Sequence, residues 1–465
     1  MGLIMLKKYI GTKEFYKYVL SLTLPIMVQN FITNFVSMLD NIMVGRLNTP
    51  QMTGVAIANQ LIFVFNLCIF GALSGAGIFG AQFFGSGDMK GVRSIFRFKI
   101  VFCTLLTIVC IAVFYFFDEP LIGLYLHGEG NPVEIAETLS YARAYMRVML
   151  VGLVPYTLAQ CYGSTLRESG RPVLPMLAGI AAVCVNLGLN YVLIFGHFGA
   201  PALGAKGAAI ATVISRFAEV LIIIVIAKVR KDEAPFLEGV FHTLRVPAKL
   251  VRQIFVKGLP LMLNEALWAV GVATLNQCYS VISVDVVTAN NINQTFFNVF
   301  SVAFMAVGVA IGIIVGQVLG ARDDEKAYDY ARKLIAFSVM VGTVVGALFI
   351  VSAEVIPQFY NTTETIQRMA TSLMIITALA MPVDAFVHAT YFTLRSGGKV
   401  IVTMLFDSVF MCCVCVPVAF LLTRLTSISI LPLYAICQAL NLIKCVLGFI
   451  LVRKRIWVRN IVLEA

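Results

Sequence analysis

The chain has 465 residues, 60% of them hydrophobic and only 13% charged, with a mean hydropathy of +0.90. Soluble domains carry about 25% charged residues, so this composition excludes one and points to a chain lying mostly within a bilayer. The net charge of +11 does not signal nucleic acid, because the basic residues flank apolar runs instead of forming one polar patch.

Apolar runs long enough to cross roughly 30 Å of hydrocarbon, about 20 residues each, recur from end to end. They are predicted at 19–44, 52–84, 95–117, 138–165, 172–195, 204–229, 252–283, 286–319, 328–352, 365–395, 400–423 and 431–453. An all-α integral membrane fold of about twelve transmembrane helices follows, since barrel strands would alternate polar and apolar residues over only about 10 positions. The amino terminus (Lys7, Lys8, Lys13, Lys17), the second gap (Lys90, Arg93, Arg97, Lys99), the 230–257 segment and the carboxy terminus (Arg453, Lys454, Arg455, Arg459) share one side. With the fourth, eighth and tenth gaps, that side collects roughly 27 of the 35 Lys and Arg, which makes it and both termini cytoplasmic. The 118–137 gap on the other face is acidic, with Asp118, Glu119, Glu129, Glu134 and Glu137. The start shows no signal-peptide cleavage pattern, and the 11 cysteines fall within apolar runs, without zinc-site or disulfide-framework spacing, as small buried hydrophobes would.

The two halves repeat. LPIMVQNF from Leu24, ANQ ending at Gln60 and AQFFGSGD from Ala81 are answered by LPLMLNEA from Leu259, INQ ending at Gln294 and GQVLGARD from Gly316. TLRESGR from Thr165 is answered by TLRSGGK from Thr393, with Pro155 and Pro382 upstream. A duplicated six-helix unit is expected, with lobes at 1–229 and 252–465 and a cytoplasmic linker at 230–251. An even number of spans per unit gives both the same orientation, the parallel-repeat arrangement that suggests alternating access around a midplane site. Pro25 and Pro260 fall at matching depths in the first and seventh spans, either as hinges or as static bends.

Intramembrane charges are costly, so they are functional candidates by default. In the first half these are Asp40, near the outer end of its span, with Asn186 and Asn190 one turn apart on the fifth span and Thr212 early in the sixth. Oxygen ligands of this kind suit sodium, and a carboxylate with amide neighbours suits a proton equally well. In the second half, Glu265, Asp384 and Asp407 come within roughly two helical turns of one another in depth, and His388 follows Asp384 on the same face. Asp407 reads as either a cavity or a structural group. Arg216 and Glu219, three apart, are expected to form a local ion pair, and Lys444 to snorkel or pair. RSGGKV at 395–400 does not meet the phosphate-loop pattern, and no serine, histidine and aspartate set is recognisable, so an enzyme is not expected.

The segment from ESGRPVLPMLAG to IATVISR, with LPIMVQNFITNFVSMLDNIMVGRLNT and the paired GSGD and GARD turns, resembles the multidrug and toxic compound extrusion (MATE) family over nearly the whole chain. The resemblance implies a bacterial transporter with two pseudo-symmetric six-helix bundles in a V. It also implies antiport of cationic, often aromatic drugs and dyes, fluoroquinolones among them, against sodium or protons, with no cofactor. Asp40 resembles the family's first-helix acid, with Asn186, Asn190 and Thr212 as neighbours; Glu265 resembles the seventh-helix acid of the NorM branch; Asp384 matches a tenth-helix acid of part of the family. A multi-pass monomer in the bacterial inner membrane is expected. The alternative is a lipid-linked oligosaccharide flippase of the wider superfamily, which the excess of intramembrane acids over bases disfavours.

Overall fold

The computed structural model describes residues 8–126, 131–360 and 362–463. Lys7 and Glu129 lie outside the described residues. Among the described residues every regular element is helical. Among the described residues, eleven helices are long and apolar enough to cross a membrane. These are α1 (Lys13–Val44), α2 (Thr49–Gly85), α3 (Met89–Phe116), α5 (Val173–Phe195), α6 (Ala205–Val229), α7 (Ala248–Ser280), the second segment of α8 (Val302–Gly320), α9 (Asp324–Ala353), α10 (Glu364–Ser396), α11 (Val400–Leu425) and α12 (Ile430–Arg453). The fourth expected span is α4, Pro132–Glu168. Arg143, Arg147, Thr157 and Gln160 dilute its apolar content, but it forms a continuous 37-residue helix. The first segment of α8 is Val284–Phe300, parted from the second at Ser301. Each expected run therefore coincides with a helix, and the chain is a multi-pass all-α membrane protein.

Caps explain why several helices outrun the apolar runs. Asn131 caps α4 by accepting from the Val133 N–H at 3.1 Å, with Pro132 at the first helical position. Asp323 and Thr363 cap α9 and α10 in the same way. A π-helical turn at Leu405–Val409 and another at Met411–Cys415 interrupt α11 ahead of Pro417, whose missing N–H breaks the regular ladder.

The chain separates into two compact units, one of residues 1–27, 81–88 and 252–465, the other of residues 28–80 and 89–251. The division crosses α1 between Met27 and Val28, just after Pro25, which α1 holds inside its helix as α7 holds Pro260.

In the first unit, the repeated Gln-x-x-Gly of α2 and α8 has a packing reason. A Cβ on Gly85 would stand 1.9 Å from the Gln317 carbonyl oxygen, and one on Gly320 would stand 2.0 Å from that of Gln82. Repeat-equivalent residues thus meet reciprocally, main chain against main chain. Gln82 is fully buried and donates to the carbonyls of Ser396 (3.0 Å) and Arg459 (3.2 Å) while accepting from the Ile461 N–H (2.8 Å). That ties down the carboxy-terminal tail, where Trp457 is also fully buried.

In the second unit, the 230–242 stretch is not a slack connection. Phe236 and Val240 are buried, Phe236 packs on Phe96 of α3, and Arg97 donates to the carbonyls of Val240 (2.7 Å) and Gly239 (3.2 Å). Some basic residues of the second gap therefore satisfy backbone carbonyls of this stretch.

Candidate functional site

In the second unit, α1, α5 and α6 bring the four predicted residues together. Asn190 donates to Asp40 Oδ1 at 2.7 Å. With its amide nitrogen turned toward the carboxylate, Asn186 donates to Asp40 Oδ1 at 3.1 Å and Oδ2 at 3.2 Å. Its amide oxygen then occupies the position 3.3 Å from the Thr212 hydroxyl. The spacing of four residues places both amides on one face of α5, and each is at least 96% buried, with 4% and 1% exposure. Asn190 Oδ1 is buried with no hydrogen-bond partner among the described residues. Buried acceptors are rarely left unpaired, so this oxygen can accept a proton-bearing group or coordinate a cation beside the carboxylate.

In the first unit, a second polar chain joins α7, α10, α11 and α12. Tyr391 donates to Glu265 at 3.5 Å, and the buried Asn264 donates to Tyr391 (3.3 Å) and to Asp407 Oδ2 (3.3 Å). Lys444 Nζ stands 3.4 Å from Asp407 Oδ1 and 5.3 Å from the centroid of the Phe410 ring. Asp407 sits in the first π-helical turn of α11. Asp384 accepts instead from Asn441 at 3.1 Å. Asn441 and Lys444 are one turn apart on α12, so the two aspartates face neighbouring positions of one helix. His388 makes no hydrogen bond or ion pair to these carboxylates and packs against Phe392 (5.0 Å between centroids), Phe304 (6.4 Å) and Gly308. Asn264, Tyr391 and Asn441 escape a reading based on charge alone. Their signal is position, since Asn264 precedes Glu265 and Tyr391 lies seven residues after Asp384.

Lys444 pairs, as one of its two expected fates. Arg216 and Glu219 do not close the expected ion pair to contact distance; the Arg216 guanidinium instead lies 4.9 Å from the Tyr156 ring centroid, a cation–π contact. A buried pair that the span boundaries concealed is Lys99 with Glu168. Lys99 Nζ lies 2.7 Å from both carboxylate oxygens and also donates to Ser164 (3.1 Å) and Thr165 (3.2 Å). The eleven cysteines are free thiols, two of them, Cys184 and Cys413, exposed and so not the buried hydrophobes expected.

A family model described as MatE matches residues 25–192 and 260–421. The chain is 24% identical over 428 residues to the "Probable multidrug resistance protein NorM" of Thermotoga maritima, covering 90% of this chain and 88% of that one. It is 26% identical over 382 residues to the "Multidrug resistance protein MdtK" of Proteus mirabilis, covering 80% and 79%. Among solved structures, it superimposes with a TM-score of 0.84 at 18% identity, over 97% of both chains, on a multidrug resistance transporter described in an outward-facing conformation.

Proposed function

Because this chain belongs to the MATE family, we propose that it is a secondary active transporter that exports lipophilic cations by antiport with sodium or protons through alternating access. Its relatives are named as multidrug resistance proteins. The observation that carries the reading to this chain is the Asp40 cluster: a carboxylate receiving amide N–H bonds from Asn190 and Asn186, beside an unpartnered amide oxygen.

Two neutralising events suit that cluster. A proton on Asp40 turns an acceptor into a donor, for which Asn190 Oδ1 is an available acceptor. A sodium ion would draw on Asp40, Asn190 Oδ1 and the Thr212 hydroxyl, all hard oxygens. Either event removes the negative charge that holds a cationic substrate, which is the coupling that antiport requires. In the carboxy-terminal half, Glu265 and Asp384 are the counterparts, while Asp407 has its charge met by Lys444.

The reading includes lobes at 1–229 and 252–465 joined by 230–251, with Pro25 and Pro260 as hinges of the lobe motion. It also includes a monomer in the bacterial inner membrane with both termini cytoplasmic, no cofactor, and drugs, dyes or fluoroquinolones as substrates. The test is efflux of a dye cation from proteoliposomes under separately imposed sodium and proton gradients. Asp40→Asn and Glu265→Gln should each lower coupled efflux at least tenfold. Wild-type efflux in both variants would overturn the assignment.

A further inference from the structure

A groove of about 530 Å³ opens between α4 and α6, within the size range of small-ligand sites. Its walls are apolar, with Val151 of α4 and Ile210, Val213 and Ile214 of α6, and it also holds Arg147 and Lys206. Lys206 occupies the first turn of α6 and Arg147 precedes Val151 by one turn of α4. Both helices run away from the 118–137 side, so the two cations mark the groove end nearest that membrane surface.

One positive charge at this end has no acid among the described residues to meet it. Asp118 pairs with Arg143 at 3.0 Å and with Arg147 at 3.4 Å, Arg143 also takes Glu119 at 3.1 Å, and Arg147 lies 5.9 Å from the Tyr115 ring centroid. Lys206 is exposed and makes no hydrogen bond or ion pair among the described residues. It also stands at the positive end of a 25-residue helix with no acidic residue in its first turn. The Ala205 N–H is already met by Gln51 Oε1 at 3.0 Å, so what asks for negative charge at this point is the Lys206 ammonium, which the helix dipole disfavours there. Val151 and Ile214, with 58% and 42% exposure, leave an apolar track leading from that point into the depth of the bilayer.

We propose that this groove binds an anionic glycerophospholipid, its phosphate at Lys206 and Arg147 and one acyl chain along Val151, Ile210 and Ile214. A phosphate and a hydrocarbon chain are the two chemistries the groove presents, in the order in which a lipid carries them. Snorkelling would explain the cations alone, without the apolar track.

Native mass spectrometry of the purified full-length protein tests this, with phosphatidylglycerol and phosphatidylethanolamine offered separately in detergent. Phosphatidylglycerol should be retained in preference. Lys206→Ala should lower its occupancy about fivefold, the effect of one basic residue near an anionic surface. Val151→Trp, which fills the track, should lower it too, and Lys228→Ala at the other end of α6 should leave it unchanged. Each variant's melting temperature without lipid identifies any that fails to fold, for which Lys206→Gln and Val151→Phe are the substitutes. Equal losses in the Lys206 and Lys228 variants would overturn the proposal, as would displacement of the lipid by soluble glycerol phosphate alone or binding that survives both groove variants.

Discussion

Gly85 of α2 and Gln317 of α8 touch through their main chains, so that even a methyl group at Gly85 would stand 1.9 Å from the Gln317 carbonyl oxygen. The reciprocal pair, Gly320 and Gln82, is as tight at 2.0 Å. Gly85→Ala and Gly320→Ala should therefore destabilise alike, by about 2 kcal/mol or more each, because backbone must move. Gly188→Ala, with nothing within 4 Å of the added carbon, should be neutral or stabilising by about 0.5–1 kcal/mol from helix propensity. Melting temperatures of the three variants in one detergent check both statements.

Lys99 and Glu168 form a buried pair in a pocket that glycines keep open: a Cβ on Gly80 would stand 2.2 Å from Glu168 Oε2, and one on Gly77 would stand 2.7 Å from Oε1. Lys99→Met removes the ammonium that Glu168 holds at 2.7 Å and should cost about 3–5 kcal/mol. Lys99→Met combined with Glu168→Gln should recover part of that loss. Unfolding measurements in which the double variant is no better than the single would show that the pair is not coupled.

Lys444 and Asp407 set a test between a structural and a transport role for the aspartate. If their pairing at 3.4 Å is structural, Lys444→Met should destabilise more than Lys444→Met combined with Asp407→Asn, with a coupling of about 0.5–3 kcal/mol in the double-variant cycle. Asp407→Asn would then reduce efflux only in proportion to the folded protein recovered. Loss of efflux in a fully stable Asp407→Asn variant would place the carboxylate in transport.

Asp118 gives a pH signature on the membrane face. Burial pushes its carboxyl up, but the Arg143 hydrogen bond, the Glu119 N–H and the charges of Arg143 and Arg147 outweigh that and hold it below the ordinary carboxylate value. A group depressed on folding adds stability that is fully present above its unfolded value and is lost as the pH falls through the folded one. Asp118→Asn should therefore lower the melting temperature at pH 7, and the gap to wild type should close below about pH 4. A gap independent of pH would assign the effect to packing.

The membrane class, the twelve runs, the repeat and the MATE resemblance were legible in sequence because the bilayer demands about 20 apolar residues per crossing and duplication leaves its punctuation in place. Asp40, Asn186, Asn190 and Thr212 were legible for a related reason: polar residues stand out against apolar runs, and a spacing of four puts the two asparagines on one face. Partner choice was not legible. Lys99 read as a gap residue because it stands near a span end, and only the approach of α3 to α4 shows that Glu168 takes it. Arg216 had an acid three residues away, yet Tyr156 on a neighbouring helix holds it at 4.9 Å. The Gln-x-x-Gly repeat could be seen in the letters but explained only by backbones crossing at Gly85 and Gly320. Periodicity and composition act along one helix, where sequence records them, whereas ion pairs, orphaned acceptors such as Asn190 Oδ1 and close backbone crossings depend on which helices meet and at what rotation, and only the tertiary structure decided that.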